Sequence, residues 1–165
     1  AYSLSNEAKT TPSDSALSNA MIYFEKGDFD NAVLQLENLV DNYKGTEASY
    51  QAKFYLGRTA FINGNNDKAL SYLSESITKV KFPNLRKEGY IMLAELEKNP
   101  KNFDKAIKNT ISDSELKYIS ILKAKMLAEN GDIDQSILIL DSINTDNEVY
   151  NQFFEEVYGY VVSKN

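Results

Sequence analysis

The residue types most often used in catalysis are missing from this chain. Its 165 residues include no histidine and no cysteine. These absences remove the commonest general base, the thiol nucleophile, the disulfide and every His- or Cys-ligated metal site. Acidic residues, lysines and tyrosines remain, but no activating partner or glycine-rich phosphate loop stands beside them at a recognisable spacing. We therefore expect neither enzymatic activity nor a bound cofactor.

Two acidic pairs have the spacing with which a calcium-binding loop begins. Asp28 precedes Asp30, and Asp132 precedes Asp134. An EF-hand loop also requires a glycine at its sixth position and a glutamate at its twelfth, and neither occurs after these pairs. We interpret these acids as helix caps and expect no metal site.

Composition favours an ordinary globular chain. The sequence is 42% apolar and 25% charged, and its length fits one domain. With a net charge of -6 and no dense run of Lys and Arg, it is not expected to bind nucleic acid. The sequence also holds no apolar run of membrane-spanning length.

A turn motif recurs four times and is the main signal in the sequence. Each copy joins two apolar helical patterns through a short polar turn. The copies are Tyr23–Ala32, Phe61–Ala69, Asn99–Ala106 and Ala128–Ser136. Their final small residues are 37, 37 and 30 positions apart. Periods of this size predict helix pairs that each bury an apolar face against their neighbours, as in a solenoid.

The residue types in the turns have a direct physical interpretation. Gly27, Gly64 and Gly131 suit a left-handed backbone at a helix end. The small residues that close the motifs permit two helices to cross closely. We expect the helix that follows each turn to be capped by a polar side chain. The four predicted caps are Asp28, Asn65 or Asn66, Asn102 and Asp132.

At these positions the chain resembles the tetratricopeptide repeat (TPR) family, whose unit of about 34 residues carries an L-G pair, then A-x3-F, then proline. The residues at the L-G position are Asn19-Ala20, Leu56-Gly57, Leu93-Ala94 and Lys123-Ala124. Tyr23 occupies an aromatic position of the first unit. The sequence departs from the family in having no tryptophan and no closing proline, and in placing Lys53 and Ser120 at an aromatic-preferring position.

The resemblance implies an all-α, right-handed superhelical solenoid of about four helix pairs plus a C-terminal capping helix. We expect units near residues 13–49, 50–86, 87–116 and 117–145. The predicted helices are 14–26, 29–43, 47–63, 66–80, 84–98, 102–110, 114–130, 133–142 and 146–162. The terminal helix carries an apolar stripe that includes Phe153 and Tyr158. This stripe either packs on the fourth pair or forms a contact beyond the chain.

The N-terminal segment, residues 1–12, is polar and contains Pro12. We expect a flexible leader here and an upstream segment that has been removed. The alternatives are a signal peptide, a membrane anchor, or an artificial start of the sequence. The chain also resembles bacterial envelope TPR proteins, including the membrane-anchored ancillary translocon subunit. That resemblance implies a periplasmic, membrane-anchored protein or lipoprotein, with the cytoplasm as the alternative.

In the TPR family the first helices of the pairs line a concave groove that binds partner proteins. The positions that the resemblance assigns to this groove are Tyr55, Arg58, Met92, Glu95, Tyr118, Leu122 and Lys125. Two alternatives stay open. Lys53 and Ser120 are poor core residues, so the helices could be rotated to bury Phe54 and Ile121 instead. The charged positions could equally form a solvated face.

The functional prediction is a non-catalytic module that binds a peptide or helical segment of another protein, as a scaffold or as a chaperone or assembly factor of the cell envelope. The alternative is a structural component that forms homo-oligomers through the C-terminal aromatic stripe.

Overall fold

The computed structural model describes residues 10–143 and 149–164, and in this part of the chain it contains nine α-helices and no strand. They are α1 Pro12–Glu25, α2 Phe29–Asn42, α3 Glu47–Ile62, α4 Asn66–Ser76, α5 Pro83–Glu97, α6 Lys101–Ile107, α7 Asp113–Glu129, α8 Ile133–Asp141 and α9 Asn151–Val162. The predicted all-α class is therefore confirmed for the described residues.

Most predicted helix ends lie within about two residues of the observed ones, but α4 ends at Ser76 instead of residue 80 and α6 at Ile107 instead of residue 110. Pro12 is the first residue of α1 rather than part of a leader, because its fixed φ suits a helix start. Thr11 caps this helix by accepting from the amide of Asp14 at 3.2 Å. The predicted flexible leader otherwise lies outside the described residues. So do positions 144–148, where the terminal helix was expected to begin; α9 starts at Asn151.

The helices belong to two compact units, Ala1–Lys79 and Val80–Asn165. In the first unit α1 packs on α2, α2 on α3 and α3 on α4, and α1 also contacts α3. In the second unit α5 packs on α6, α6 on α7 and α7 on α8, while α9 covers both α7 and α8. Helices that are consecutive in sequence are thus neighbours within each unit.

The predicted close crossings are present in all four helix pairs. Each pair places a small residue on its first helix and another twelve positions later on its second. The pairs are Ala20 with Ala32, Gly57 with Ala69, Ala94 with Ala106, and Ala124 with Ser136, and all eight residues are buried. In the last pair the Ser136 hydroxyl donates to the carbonyl oxygen of Ala124 at 2.7 Å. In the second pair a Cβ added at Gly57 would lie 3.2 Å from the Leu73 amide nitrogen, so the helices approach too closely there for a larger side chain.

The turns between paired helices follow the predicted chemistry in three cases. Gly27, Gly64 and Gly131 have φ of +75°, +72° and +90°. The side chains of Asp28, Asn65 and Asp132 then cap the following helices by accepting backbone N–H bonds.

The prediction that Asn102 caps a helix is wrong. The third turn has no glycine, and Lys98 adopts the left-handed conformation there, with φ of +51°. The helix then starts early, after Pro100, so Asn102 lies inside α6 and is buried. Its side-chain amide donates to Glu97 Oε2 at 2.7 Å instead.

The C-terminal stripe packs within the chain. Phe154, Val157 and Val161 are buried in a cluster with residues of α7 and α8, and Phe153 and Tyr158 pack against it. The stripe therefore caps the fourth helix pair, as one of the two alternatives predicted.

An ion pair between Lys87 and Glu115 connects α5 to α7 in the second unit. The hydrogen bond from the Lys87 ammonium, followed by one from the amide of Ile111 at 2.8 Å, lowers the pKa of the Glu115 carboxyl below its usual value of 4.5. The charged form of this carboxyl therefore favours the folded state.

We predict that Gly57→Ala destabilises the protein because a Cβ at this position would lie 2.8 Å from Leu73 Cγ and 3.2 Å from the Leu73 amide nitrogen. The expected loss in the free energy of unfolding is about 1–3 kcal/mol in urea denaturation. Gly159→Ala is the matched control, since nothing lies within 4 Å of its Cβ position in α9. It should gain about 0.5–1 kcal/mol from helix propensity. Equal effects of the two substitutions would contradict the close crossing.

A second prediction concerns pH. Because the folded-state pKa of Glu115 is lowered, its stabilisation is fully present above the unfolded value of 4.5 and is lost as the pH falls through the folded-state pKa. Glu115→Gln should therefore be less stable than the parent chain at about pH 7, and this difference should shrink as the pH falls below 4.5 and through the folded-state pKa. The control Glu129→Gln breaks only an exposed pair with Lys125 within α7, so it should change stability by no more than about 0.5 kcal/mol.

Candidate functional site

The seven predicted groove residues lie in both units. Tyr55 and Arg58 belong to α3 of the first unit. The other five belong to α5 and α7 of the second unit. They are Met92, Glu95, Tyr118, Leu122 and Lys125.

In the second unit, contacts within the chain explain the positions of the five predicted groove side chains. Met92 is only 6% exposed, so it offers little surface to a partner. Tyr118 and Leu122 are half-buried against a core cluster of α5, α6 and α7. Glu95 pairs with Lys98 at 3.7 Å, and Lys125 pairs with Glu129 at 3.9 Å. Each of these side chains therefore has a structural explanation that requires no ligand.

The rotated-helix alternative is confirmed at two positions. Phe54 and Ile121 are fully buried, while Lys53 turns outward to an ion pair with Glu75. A lysine cannot replace a core aromatic residue without leaving its charge unsolvated. The next residue along the helix takes the core position instead.

Tyr55 and Arg58 line an open apolar cavity of about 360 Å³ in the first unit, which we call the first-unit cleft. Its lining comprises Met21, Phe24, Phe29, Tyr55, Arg58, Thr59, Ile62 and Asn63. Tyr55, Arg58 and Ile62 follow the i, i+3, i+7 spacing that brings residues to one stripe of a helix. Residues of α1 and the first residue of α2 form the remaining walls.

The α3 stripe faces the cleft because the core contacts of α3 use other residues. Ala52, Leu56 and Gly57 are buried against the neighbouring helices. Of the residues left outside this core, Tyr55 is half-buried and Ile62 is 70% exposed.

Aromatic rings form the wall of the first-unit cleft. The ring centroid of Phe24 lies 5.9 Å from that of Phe29 and 6.3 Å from that of Tyr55. Tyr55 in turn contacts the fully buried Phe54, with an edge-to-face arrangement at 5.3 Å. This chain of ring contacts connects the cleft surface to the core, so the wall is formed without a ligand.

Two lining residues are unusually exposed for their size. Ile62 is 70% exposed and Phe29 is 57% exposed. Neither residue was among the seven predicted groove residues, and neither was Phe24. The sequence signal for Phe24 and Ile62 is the repeat register, because they stand at the twelfth position of the first unit and the thirteenth of the second, which the family resemblance also assigns to the groove.

The lining of the cleft is mainly apolar and carries few groups that could transfer a proton. Among the described residues that line it, Arg58 alone carries a charge, and no carboxylate is present. The Thr59 hydroxyl donates to the Tyr55 carbonyl at 2.9 Å. An acid–base pair for proton transfer is therefore missing from this lining.

A second hollow of about 300 Å³ lies across α3 in the same unit and has a different character. Its lining includes Asp30, Glu37, Lys68 and Tyr72. Burial, followed by the negative charge of Glu37, raises the pKa of the Tyr72 hydroxyl above 10.0. The phenol is therefore protonated at neutral pH and does not act as a base there.

The part of the chain that the structure describes contains no group of three or more acidic, His or Cys side chains placed to hold a metal ion. None of its helices is both long and apolar enough to cross a membrane.

No known protein-family model matches this chain, and neither the curated proteins nor the solved structures give a significant match.

We predict that the core and cleft sides of α3 respond differently to truncation. Phe54→Ala should lower the free energy of unfolding by about 3–5 kcal/mol, because it empties a fully buried position. Ile62→Ala should change it by no more than about 0.5 kcal/mol, because this side chain is largely in solvent. Chemical denaturation of the two variants provides the measurement. A large loss in the free energy of unfolding on truncating Ile62 would show that this residue belongs to the core.

Proposed function

We propose that this chain is a non-catalytic interaction module that binds an apolar segment of another protein in the first-unit cleft. One observation carries the proposal: the cleft is open, its walls are aromatic and aliphatic, and two large apolar side chains at its edge are exposed to water. A partner that covers these side chains would remove apolar surface from water without a covalent step.

The apolar surface that a partner would cover at the cleft fits a moderate affinity. Full burial of one large apolar side chain contributes about 1.5–3 kcal/mol. A single exposed apolar residue is common on protein surfaces, but a pair at the edge of an aromatic cavity is typical of interaction sites. Because ring contacts hold the wall of the cleft, binding requires little ordering of the module.

The proposal extends to the repeat architecture. We infer that the helix pairs are TPR-like and that the chain forms a right-handed solenoid of such pairs. The recurrence of the buried small residues at the same interval in every pair, and the packing of consecutive helices within each unit, support this inference. The cell-envelope location and the role in chaperoning or assembly stay predictions from the sequence resemblance.

The homo-oligomer hypothesis has less free surface than it assumed, because Phe153 and Tyr158 are half-buried against a core cluster of α7, α8 and α9. The central residues of the C-terminal stripe, Phe154, Val157 and Val161, are buried against α7 and α8 of the same chain. We therefore prefer a partner protein at the first-unit cleft.

The test is a selection of random peptides on the whole chain by phage display, followed by affinity measurement for the selected peptides. We expect Ile62→Asp to weaken binding roughly tenfold or more, because it places a charge where the apolar anchor is covered. Leu34→Asp is the matched control, since Leu34 is 50% exposed on α2 and does not line the cleft.

Equal loss of affinity in both variants, or no loss in either, would contradict the cleft as the binding site. Circular dichroism of each variant should show unchanged helicity, because both side chains are exposed in the parent chain.

A further inference from the structure

We propose that residues 1–6 of this chain occupy the first-unit cleft when no partner is bound, with the Tyr2 ring in the cleft and the Leu4 side chain in the furrow between α1 and α3. This inference rests on the proposed function and specifies how the same site is regulated, because a partner must then displace the chain's own segment. Residues 1–9 lie outside the part of the chain that the structure describes. The surface beside their point of attachment carries the inference.

The N-terminal segment joins the fold at a fixed point. Thr11 and Asp14 form a capping box, in which the Thr11 hydroxyl accepts from the Asp14 amide at 3.2 Å and the Asp14 carboxylate accepts from the Thr11 amide at 3.1 Å. Thr11 also lines an open hollow of about 530 Å³ together with Thr46 and Glu47, at the start of α3. The chain thus enters between the first residues of α1 and those of α3, beside a hollow with room for a reversal.

The furrow between α1 and α3 leads from this point to the first-unit cleft. At the other end of the same two helices, Met21 and Phe24 of α1 line the cleft with Tyr55 of α3. α1 and α3 are therefore parallel neighbours, and direct contacts join them. A segment that turns back before Thr11 and follows the furrow arrives at the cleft.

The length of the segment matches this path. Met21 stands nine positions after Pro12, so the rise of an α-helix places it about 14 Å along α1. A reversal over residues 7–10 leaves residues 1–6 for the return, and an extended chain advances about 3.3 Å per residue. Tyr2 then lies about 13–17 Å from the reversal, at the level of Met21, and Leu4 lies about 7–10 Å from it.

The sequence of the segment suits an apolar contact on one side. Tyr2 and Leu4 are its two large apolar residues, and they alternate with Ser3 and Ser5. In an extended segment, residues two positions apart point to the same side. Tyr2 and Leu4 can therefore both face the furrow while the two serines face water.

The receiving surface is apolar along the whole path. Leu17, Met21 and Phe24 follow the i, i+4, i+7 spacing that brings residues to one stripe of α1, and all three are half-buried. The ring centroids of Phe24 and Tyr55 lie 6.3 Å apart. A third ring can pack against such a pair, since aromatic side chains attract each other at centroid distances of about 4.5–7 Å.

Covalent attachment makes a weak contact sufficient. A short tether gives an effective concentration in the range of about 1–10 mM. If the free segment binds with a Kd of about 1 mM and its effective concentration is about 4 mM, the cleft is occupied about 80% of the time. The apparent affinity for a partner then falls about fivefold, because only the open fraction can bind.

The first measurement detects the contact itself. The chain has no native cysteine, so Ser3→Cys provides a single attachment point for a nitroxide spin label on the whole chain. We expect the label to broaden the amide signals of Met21 and Tyr55 much more strongly than that of Leu34, which does not line the cleft. Replacing both Tyr2 and Leu4 by serine should remove this broadening. The matched control, Ser5→Ala, should keep it.

The second measurement removes the segment and uses the peptides selected on the whole chain. Deletion of residues 1–9 should tighten their binding about fivefold. It leaves the net charge unchanged, since it removes one acid, Glu7, and one base, Lys9. Tyr2→Ser with Leu4→Ser should reproduce most of this gain in the full-length chain, so the test stands even if the deletion variant folds poorly. Ser3→Ala with Ser5→Ala should leave the affinity unchanged.

The outcomes separate this inference from the proposed function. If the peptides bind the cleft equally well in all variants and the label broadens no cleft signal, the inference is wrong and the partner site stands. If the label broadens the cleft signals but no peptide binds there even after the deletion, docking of the segment is supported and the proposed function fails. Broadening that arises only between a spin-labelled chain and a second, isotope-labelled chain would place the segment in another copy and overturn docking within one chain.

Discussion

The close approach of paired helices at small residues is the constraint on which the rest of this structure depends. At Gly57 the space for even one methyl group is taken by Leu73. The same crossing recurs in every pair, and in the last one a serine hydroxyl bonds directly to the facing backbone. Helices cross closely only where the side chains between them are small. The large apolar residues therefore lie beside each crossing, and they form the core.

The exposed apolar surface of the first-unit cleft follows from how that core is filled. α3 buries Phe54 and Leu56 on its core sides and leaves a stripe from Tyr55 to Ile62 outside. The turn after α1 brings Phe29 to the edge of the same stripe, and Phe24 links the two through ring contacts. The two most exposed apolar residues of the cleft, Phe29 and Ile62, thus lie at helix ends beside the first two turns.

The two units use their aromatic residues differently. In the second unit Tyr118 contacts Tyr150 and Phe153, and α9 covers the fourth pair. In the first unit the corresponding surface stays open and is lined by a single cation among the described residues.

The sequence by itself determined the helices, the glycine turns, three of the four predicted caps and the small residues at the crossings. These features depend on local backbone preference and on the spacing of a few residue types. It also limited the chemistry, through the absence of histidine and cysteine. Only the tertiary structure decided that Met92 is buried, that Asn102 lies inside a helix and that Phe24, Phe29 and Ile62 share one cleft with Tyr55 and Arg58. Which face of a helix stays exposed depends on its rotation against its neighbours, and small shifts in that rotation leave the periodic pattern unchanged.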